Sequence, residues 1–480
     1  MPAAPALHCA AIDLGATSGR VILGTWSKNR LTLAEVHRFP NAYRELGAHA
    51  YWEIGTLWHE VQTGLQRAIA ALPRGAKLAS VGVDTWGCDH VLLDDAGRLV
   101  FPVHAYRDNR TQAGLQRLDR TRAALARVYA ATGIPNVFYN TSLQLEETVA
   151  SCPAVEDLAT RCLLLSDYFN FLLSGRAENE ISNASTTQLL DVHGRDWSRA
   201  ALAQFRLPAE WFKTPIVSGT KLGRIRALPE LAGTHVVAVP GHDTACAYDA
   251  MPAAENGADL FLSSGTWSLV GFENDTPLLG AEALAARIAN ERTGRGGYRP
   301  LTNVAGLFLL EQTLKDLQHR PRNDREWTAL IRAAEKLPAP AELLDLTDPA
   351  FASPDSMKAA IDAQLKKRKL RAPKDLAGYT RLICASIGRG HALAAQTFER
   401  MTGRKFQRIL MVGGGSKNRL LCQATADAAG IPVISFSLEG TAVGNLASQL
   451  IALGAVKDLK TFRRHLAGNL EQKTYAPRQR

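Results

Sequence analysis

The chain has 480 residues, 46% hydrophobic and 21% charged, with 56 Lys and Arg against 46 Asp and Glu. At roughly 100–200 residues per domain, this length calls for two or three domains with substantial cores and excludes collagen-like, disordered and miniprotein classes. The net charge of +10 raises nucleic acid or an anionic membrane as partners, but seven cations and one anion fall between Lys358 and Lys374, so over half of the excess is one local stretch.

In chain order, HCAAIDLGATSGRVILGTW gives an apolar strand, a polar turn from Asp13 to Gly19 and a second apolar strand from Val21, a glycine-turned hairpin. In that turn Gly15 and Gly19 admit close backbone approach, Thr17 and Ser18 add hydroxyl donors, and Arg20 adds charge. Asp13 would repel a phosphate directly, which fits a hydrated Mg²⁺ between them; an ordinary hairpin turn has the same pattern. WEIGTLWHEVQTGLQRAIAAL is apolar at helical spacing, and LASVGVDTWGCDHVLLDDAGRLV reads as a strand, a DDAG turn and a further extended run. Asp84, Trp86, Gly87 and Asp89 at the strand end combine carboxylates for hydroxyls with an aromatic face for C–H groups, the mix of a sugar pocket. YRDNRT, residues 106–111, adds polar groups there or forms a salt-bridged surface turn.

THVVAVPGHDTACAYDAM and FQRILMVGGGSKNRLLC each run strand, Gly-containing turn and helix, a junction that suits an anion. In the first, Asp243 either caps the helix or orients a hydroxyl nucleophile and accepts its proton, or does both. In the second, Gly413, Gly414 and Gly415 let a flat ligand lie against the backbone or make a tight turn. ADLFLSSGTWSLVGFE repeats the opening hairpin, with Ser264, Gly265 and Thr266 at its turn. The paired hairpins and paired junctions predict a duplicated α/β chain, divided near Ala247 to Ala258. No P-loop motif occurs, and no histidine spacing suits a metal, so His8, His59, His104 and the other histidines are read as structural or surface residues. The stretch 358–374 lies in a helical, motif-free region and is read as a solvated helix face. Seven scattered cysteines, no charged leader before a long apolar core and no apolar run of spanning length predict a reducing, cytoplasmic setting without a membrane partner.

Taken together, AIDLGATSGRVIL, EVHRFPN, GVDTWGCDHVLLD, YRDNRT, SNASTTQLLD, PGHDTACA, LSSGTWSLVGFE and ILMVGGGSKNRLL resemble the FGGY carbohydrate kinases of the actin-like ATPase superfamily. The matching stretches span about residue 10 to residue 450. The resemblance implies two ribonuclease H-like domains with a cleft between them, residues 1–250 binding sugar and carrying the catalytic base and residues 251–480 binding ATP. It implies that Ala16, Thr17, Ser18, Gly19 and Arg20 face the ATP phosphates, that Asp13 serves the metal, and that Thr266, Asn303 and Gly414 contact nucleotide. Glu311 stands where the family tends to have a Gln, with Gln312 beside it. Trp86, Gly87, His242, Asp243 and Thr244 would face the sugar, with Asp243 as the base. The implied reaction moves the γ-phosphoryl group of ATP, with Mg²⁺, to the C1 hydroxyl of L-rhamnulose. L-Fuculose, L-xylulose or another ketose is the alternative, and a non-kinase nucleotide-binding member of the superfamily a second one. His90 departs from the aromatic residue usual at its position and bears on sugar preference. The partners implied are a small ketose and ATP, with no nucleic acid; the oligomeric state, monomer or homodimer, stays open.

Overall fold

A computed structural model describes residues 6–254, 256–351, 354–436 and 439–478. The chain packs as two compact units that are discontinuous in sequence. The first comprises Met1–Pro252, Glu273–Pro300 and Gly440–Asn469, and the second Ala253–Phe272, Leu301–Glu439 and Leu470–Arg480.

In the first unit, β1 (Leu7–Leu14) and β2 (Ser18–Ser27) form the opening hairpin, in which Asp13 faces Arg20 across the ladder. β3 (Arg30–Pro40) extends it antiparallel, and β4 (Tyr43–Leu46) with β5 (His49–Trp52) makes a separate small hairpin. β6 (Leu78–Thr85) pairs parallel with β1, bringing Asp84 beside Asp13. β7 (His90–Leu93) pairs with β8 (Arg161–Leu164) outside the main sheet. β9 (Lys221–Arg224) closes the edge against β10 (His235–Val237), giving the order β3-β2-β1-β6-β10-β9. Seven of the eight residues of β1 are buried, because the helix Ile54–Ala70 and the helix Gly440–Ala452 both pack on it. A strand covered on both faces reads as a continuous apolar run, which is how CAAIDL reads.

The second unit is built on the repeated hairpin, β11 (Asp259–Ser264) and β12 (Trp267–Gly271). β13 (Ala289–Arg292) and the first three residues of β14 (Tyr298–Ala305) cluster with the first unit, while the rest of β14 pairs with β12. β15 (Arg408–Val412) runs parallel to β11, β16 (Val433–Phe436) parallel to β15, and β17 (Gln472–Tyr475) antiparallel to β16. Arg408 clasps Asp259 through two nitrogens at 2.6 and 3.0 Å, pinning the starts of two central strands together. The basic stretch is solvent-facing but only partly helical. Its helix ends at Lys367, and exposed Lys369, Arg371 and Lys374 follow it in a loop, so the charge does not line one helix face.

Candidate active site

Three acidic residues converge at the carboxyl edge of the first sheet. Asp13 is the next-to-last residue of β1, Asp84 the next-to-last of β6 in direct register with it, and Asp243 follows β10 after the segment Val239–Gly241. That segment is held from both sides. The Thr85 amide donates to the Gly241 carbonyl at 2.9 Å, and the Gly241 amide donates to buried Glu180 at 2.9 Å. Glu180 also accepts from the hydroxyls of Ser182 and Ser218, at 2.6 Å each.

Asp84 is completely buried. One carboxylate oxygen accepts from Asn445 at 2.6 Å, and the other has no partner among the described residues. Burial, and then the charge of Asp13, push the Asp84 carboxyl well above its usual range, with Asp243 adding to the push. Arg20 donates to Asp13 at 2.8 Å and neutralises part of this cluster. An orphaned oxygen within three mutually repelling acids is what a hard divalent cation satisfies, so the residues present fit Mg²⁺. The turn beside them is compact. Gly15 donates to the Ser18 carbonyl, Asn41 fastens the Gly15 and Thr17 carbonyls, Gly19 is buried under Phe39, and Ala16 and Ser18 are half-buried with Thr17 exposed.

Asp243 is the first residue of its helix, not the cap: His242 holds the cap position, and no side-chain capping bond is made. The Asp243 carboxylate is therefore not spent on backbone amides. It remains one-third exposed and accepts from the Thr244 hydroxyl at 3.1 Å. His242 lies with Nε2 at 3.4 Å from Asp243 and Nδ1 at 2.9 Å from Glu291. Arg299, which is fully buried, donates to Glu291 and sits 2.7 Å from the same imidazole nitrogen. Burial alone would push Glu291 upward, but Arg299 and then His242 outweigh it and hold the carboxyl at about 2. Glu291 and Arg299 together fix the position of the His242 ring. Gly87 lies beside this histidine; a Cβ there would stand 3.4 Å from Nε2 and 3.2 Å from the Thr186 side chain.

Trp86 and Asp89 of the DTWG segment are tied into the interior. Trp86 is buried against Trp52 at a ring separation of 4.3 Å. Asp89 accepts from both indoles, from the Tyr106 amide and from Gln144, so its oxygens are committed to holding these rings. Burial still moves the Asp89 carboxyl up to about 6. YRDNRT is only partly at the surface: Arg107 and Asn109 are exposed, whereas Asp108 and Thr111 are buried and the Arg110 side chain lies inside on Glu147, Thr148 and the Gln144 carbonyl.

At the corresponding edge of the second unit, the turn after β11 and the glycine run after β15 lie against each other. Gly413 has φ +86°, and a Cβ on it would stand 2.5 Å from the Ser264 carbonyl oxygen. Thr266 and Gly414 are exposed there, and the Gly265 and Thr266 carbonyls accept amides at the start of the helix Phe308–Asp316. Asn303 is exposed on β14 opposite Leu269. Glu311, on that helix, is half-exposed and 3.5 Å from Arg320, with Gln312 next to it.

Glu180, Glu291, Arg299, Asn445 and Gln449 were missed in the sequence. Only the last pair left a signal, since two amides four apart interrupt the apolar helix GTAVGNLASQL. Gln449 reaches the Ala10 carbonyl and Ser80, and with Asn445 it ties that helix to β1 and β6.

Residues 8–248 match the model of the FGGY family of carbohydrate kinases, N-terminal domain, and residues 260–453 that of its C-terminal domain. The chain belongs to the FGGY family of carbohydrate kinases. It is a phosphotransferase acting on a sugar hydroxyl group, and FGGY kinases take ATP as the phosphate donor. It is 37% identical over 472 residues to rhamnulokinases of two Klebsiella pneumoniae strains, covering 98% of this chain and 94% of each relative. Among solved structures, the gluconate kinase of Lactobacillus acidophilus superposes with a TM-score of 0.81 at 15% identity, covering 99% of this chain and 94% of that one. Plasmodium falciparum glycerol kinase with ADP gives 0.79 at 12%, covering 98% and 94%. These place the FGGY chain in the two-domain, actin-like α/β fold. All seven cysteines are free, and among the described residues no helix is long and apolar enough to cross a membrane.

Proposed function

We propose that this FGGY kinase phosphorylates the C1 hydroxyl of L-rhamnulose, with Asp243 as the base. The observation that carries the chemistry is the uncapped Asp243 carboxylate beside His242 at the acidic edge of the first sheet. The 37% identity to rhamnulokinases over nearly the whole chain supports the choice of ketose.

In this reading Gly87, Trp86, His242 and Thr244 orient the sugar, and Asp243 accepts the C1 hydroxyl proton. The hydroxyl oxygen forms a bond to the γ-phosphorus as the bond to the bridging oxygen of ADP breaks. Asp13, with Asp84 behind it, would hold Mg²⁺, which when bound neutralises charge on the transferring group. Residues 16–20 would meet the phosphates, while Thr266, Asn303, Gly414 and Glu311 or Gln312 would meet the nucleotide. Exclusion of water from the bound sugar is required, because water would otherwise take the phosphoryl group.

A coupled ADP-release assay with L-rhamnulose, L-fuculose, L-xylulose and D-xylulose tests the substrate. Release fastest with L-rhamnulose is expected. Preference for another ketose replaces the sugar and keeps the mechanism; silence across the panel overturns both.

A further inference from the structure

We propose that His49, His104 and Asp108 form a binding site for one Zn²⁺ ion, separate from the acidic edge that carries the phosphoryl chemistry. No spacing in the sequence indicates it, because His49 lies 55 residues before His104. The fold brings them together by pairing β5 with the segment after Pro102. The Trp52 amide donates to the Val103 carbonyl and the Ala105 amide to the Ala50 carbonyl, both at 2.8 Å, and Tyr51 bridges to His104.

One ligand atom from each of the three residues lies within 4.8 Å of the others. His49 Nδ1 stands 3.3 Å from Asp108 Oδ2. Zinc bonds of about 2.0–2.1 Å at tetrahedral angles place neighbouring ligands roughly 3.3 Å apart, so this edge of the tetrahedron is already in place. The ligands are also supported from behind, as metal ligands usually are. Asp108 Oδ2 accepts the Ala50 amide at 2.6 Å and Oδ1 the Arg110 amide at 2.8 Å, which fixes the carboxylate and leaves each oxygen a lone pair. The His104 ring is held between Tyr51 at 4.5 Å and Phe101 at 5.6 Å. The nearby Arg110 guanidinium is paired with Glu147, which offsets its repulsion of a cation.

Two imidazoles and one carboxylate select a borderline ion such as Zn²⁺ over Mg²⁺, which prefers oxygen and keeps its waters. His104 and Asp108 are buried, whereas the His49 side chain is 40% exposed, giving the ion a way in and a fourth position open to water. Once bound, zinc clips the β4–β5 hairpin to the segment that leads into Tyr106, whose amide holds Asp89 under the tryptophan pair.

The test uses the full chain, stripped with a chelator and returned to Mg²⁺ buffer, titrated calorimetrically with Zn²⁺ and spectroscopically with Co²⁺. One Zn²⁺ per chain, a tetrahedral Co²⁺ visible band and a Zn²⁺-dependent rise in Tm are expected. Each should weaken at least tenfold or vanish in His49→Ala and Asp108→Asn. His49→Ala removes an accessible side chain and decides the matter if Asp108→Asn fails to fold. No saturable binding, or binding of equal strength in His49→Ala, overturns the site.

Discussion

The two central sheets repeat one frame and put different chemistry on it. β3-β2-β1-β6-β10-β9 and β14-β12-β11-β15-β16-β17 share strand sense, an antiparallel meander, three parallel strands at the centre and an antiparallel edge, and differ in chain order only at that edge, where β9 precedes β10 and β17 follows β16; β13 adds a further strand beyond β14. The carboxyl ends of the first sheet carry Asp13, Asp84 and, past β10, Asp243. The matching ends of β11 and β15 carry Ser264 and Gly413, with no charge. In the proposed reading one edge holds charge and moves a proton, and the other lets the nucleotide approach bare backbone. Fold alone does not choose between them; the side chains at the strand ends do.

The largest expected effect breaks the acidic edge. Asp243→Asn should lower kcat by about 10²–10⁴ in the ADP-release assay, the usual worth of a positioned base, with nucleotide affinity by calorimetry retained. An unchanged kcat would remove Asp243 from the reaction. Next comes Gly444→Ala. This glycine lets the helix Gly440–Ala452 touch the helix Asp243–Asp249, and an added Cβ would stand 1.8 Å from the Cys246 carbonyl oxygen. Overpacking of that kind costs about 1–3 kcal/mol, read as a lower urea midpoint with unchanged slope.

The second edge should break by strain. Gly413→Ala places a side chain at φ +86° against the Ser264 carbonyl and should cost about 1–3 kcal/mol, whereas Gly414→Ala meets nothing within 4 Å and should leave Tm unchanged. Under the proposed nucleotide role Gly414→Ala still raises the KM for ATP, and an unaltered KM would detach that residue from the site.

The smallest effect is a pH dependence confined to the first edge. Asp84 keeps its proton in the folded chain to higher pH than in the unfolded one, so the folded state binds more protons between the two values. Without Mg²⁺, that part of the stability is complete below the unfolded value near 4 and is lost as pH rises through the raised folded value. Tm measured against pH should fall less steeply in Asp84→Asn, and Mg²⁺ should flatten the parent curve. Equal slopes for parent and variant would contradict the burial of an unpaired charge.

What was readable in advance followed from local rules. Both hairpins, the strand–glycine–helix junctions and the helix Ile54–Ala70 are set by short apolar runs, glycine turns and helical spacing among near neighbours. The position of Asp243 within its junction was not readable, because cap and first helical residue share a sequence signature and only the backbone angles separate them. Trp86 and Asp89 looked like pocket residues by type, yet Trp52, Tyr106 and Gln144 come from elsewhere in the chain to occupy the Asp89 oxygens.

The sequence by itself determined a duplicated α/β chain, since each hairpin and each strand–glycine–helix junction is written in one contiguous segment; that Asp13, Asp84 and Asp243 meet at one edge, and Ser264 and Gly413 at another, follows from strand pairing. Tertiary structure alone decided which groups tune those edges. Glu291 and Arg299 lie 49 and 57 residues beyond His242, and Asn445 lies 361 residues beyond Asp84. The reason is physical: strand and turn preferences act between neighbours, while the partners of a buried charge are set by which distant surfaces pack together and exclude water.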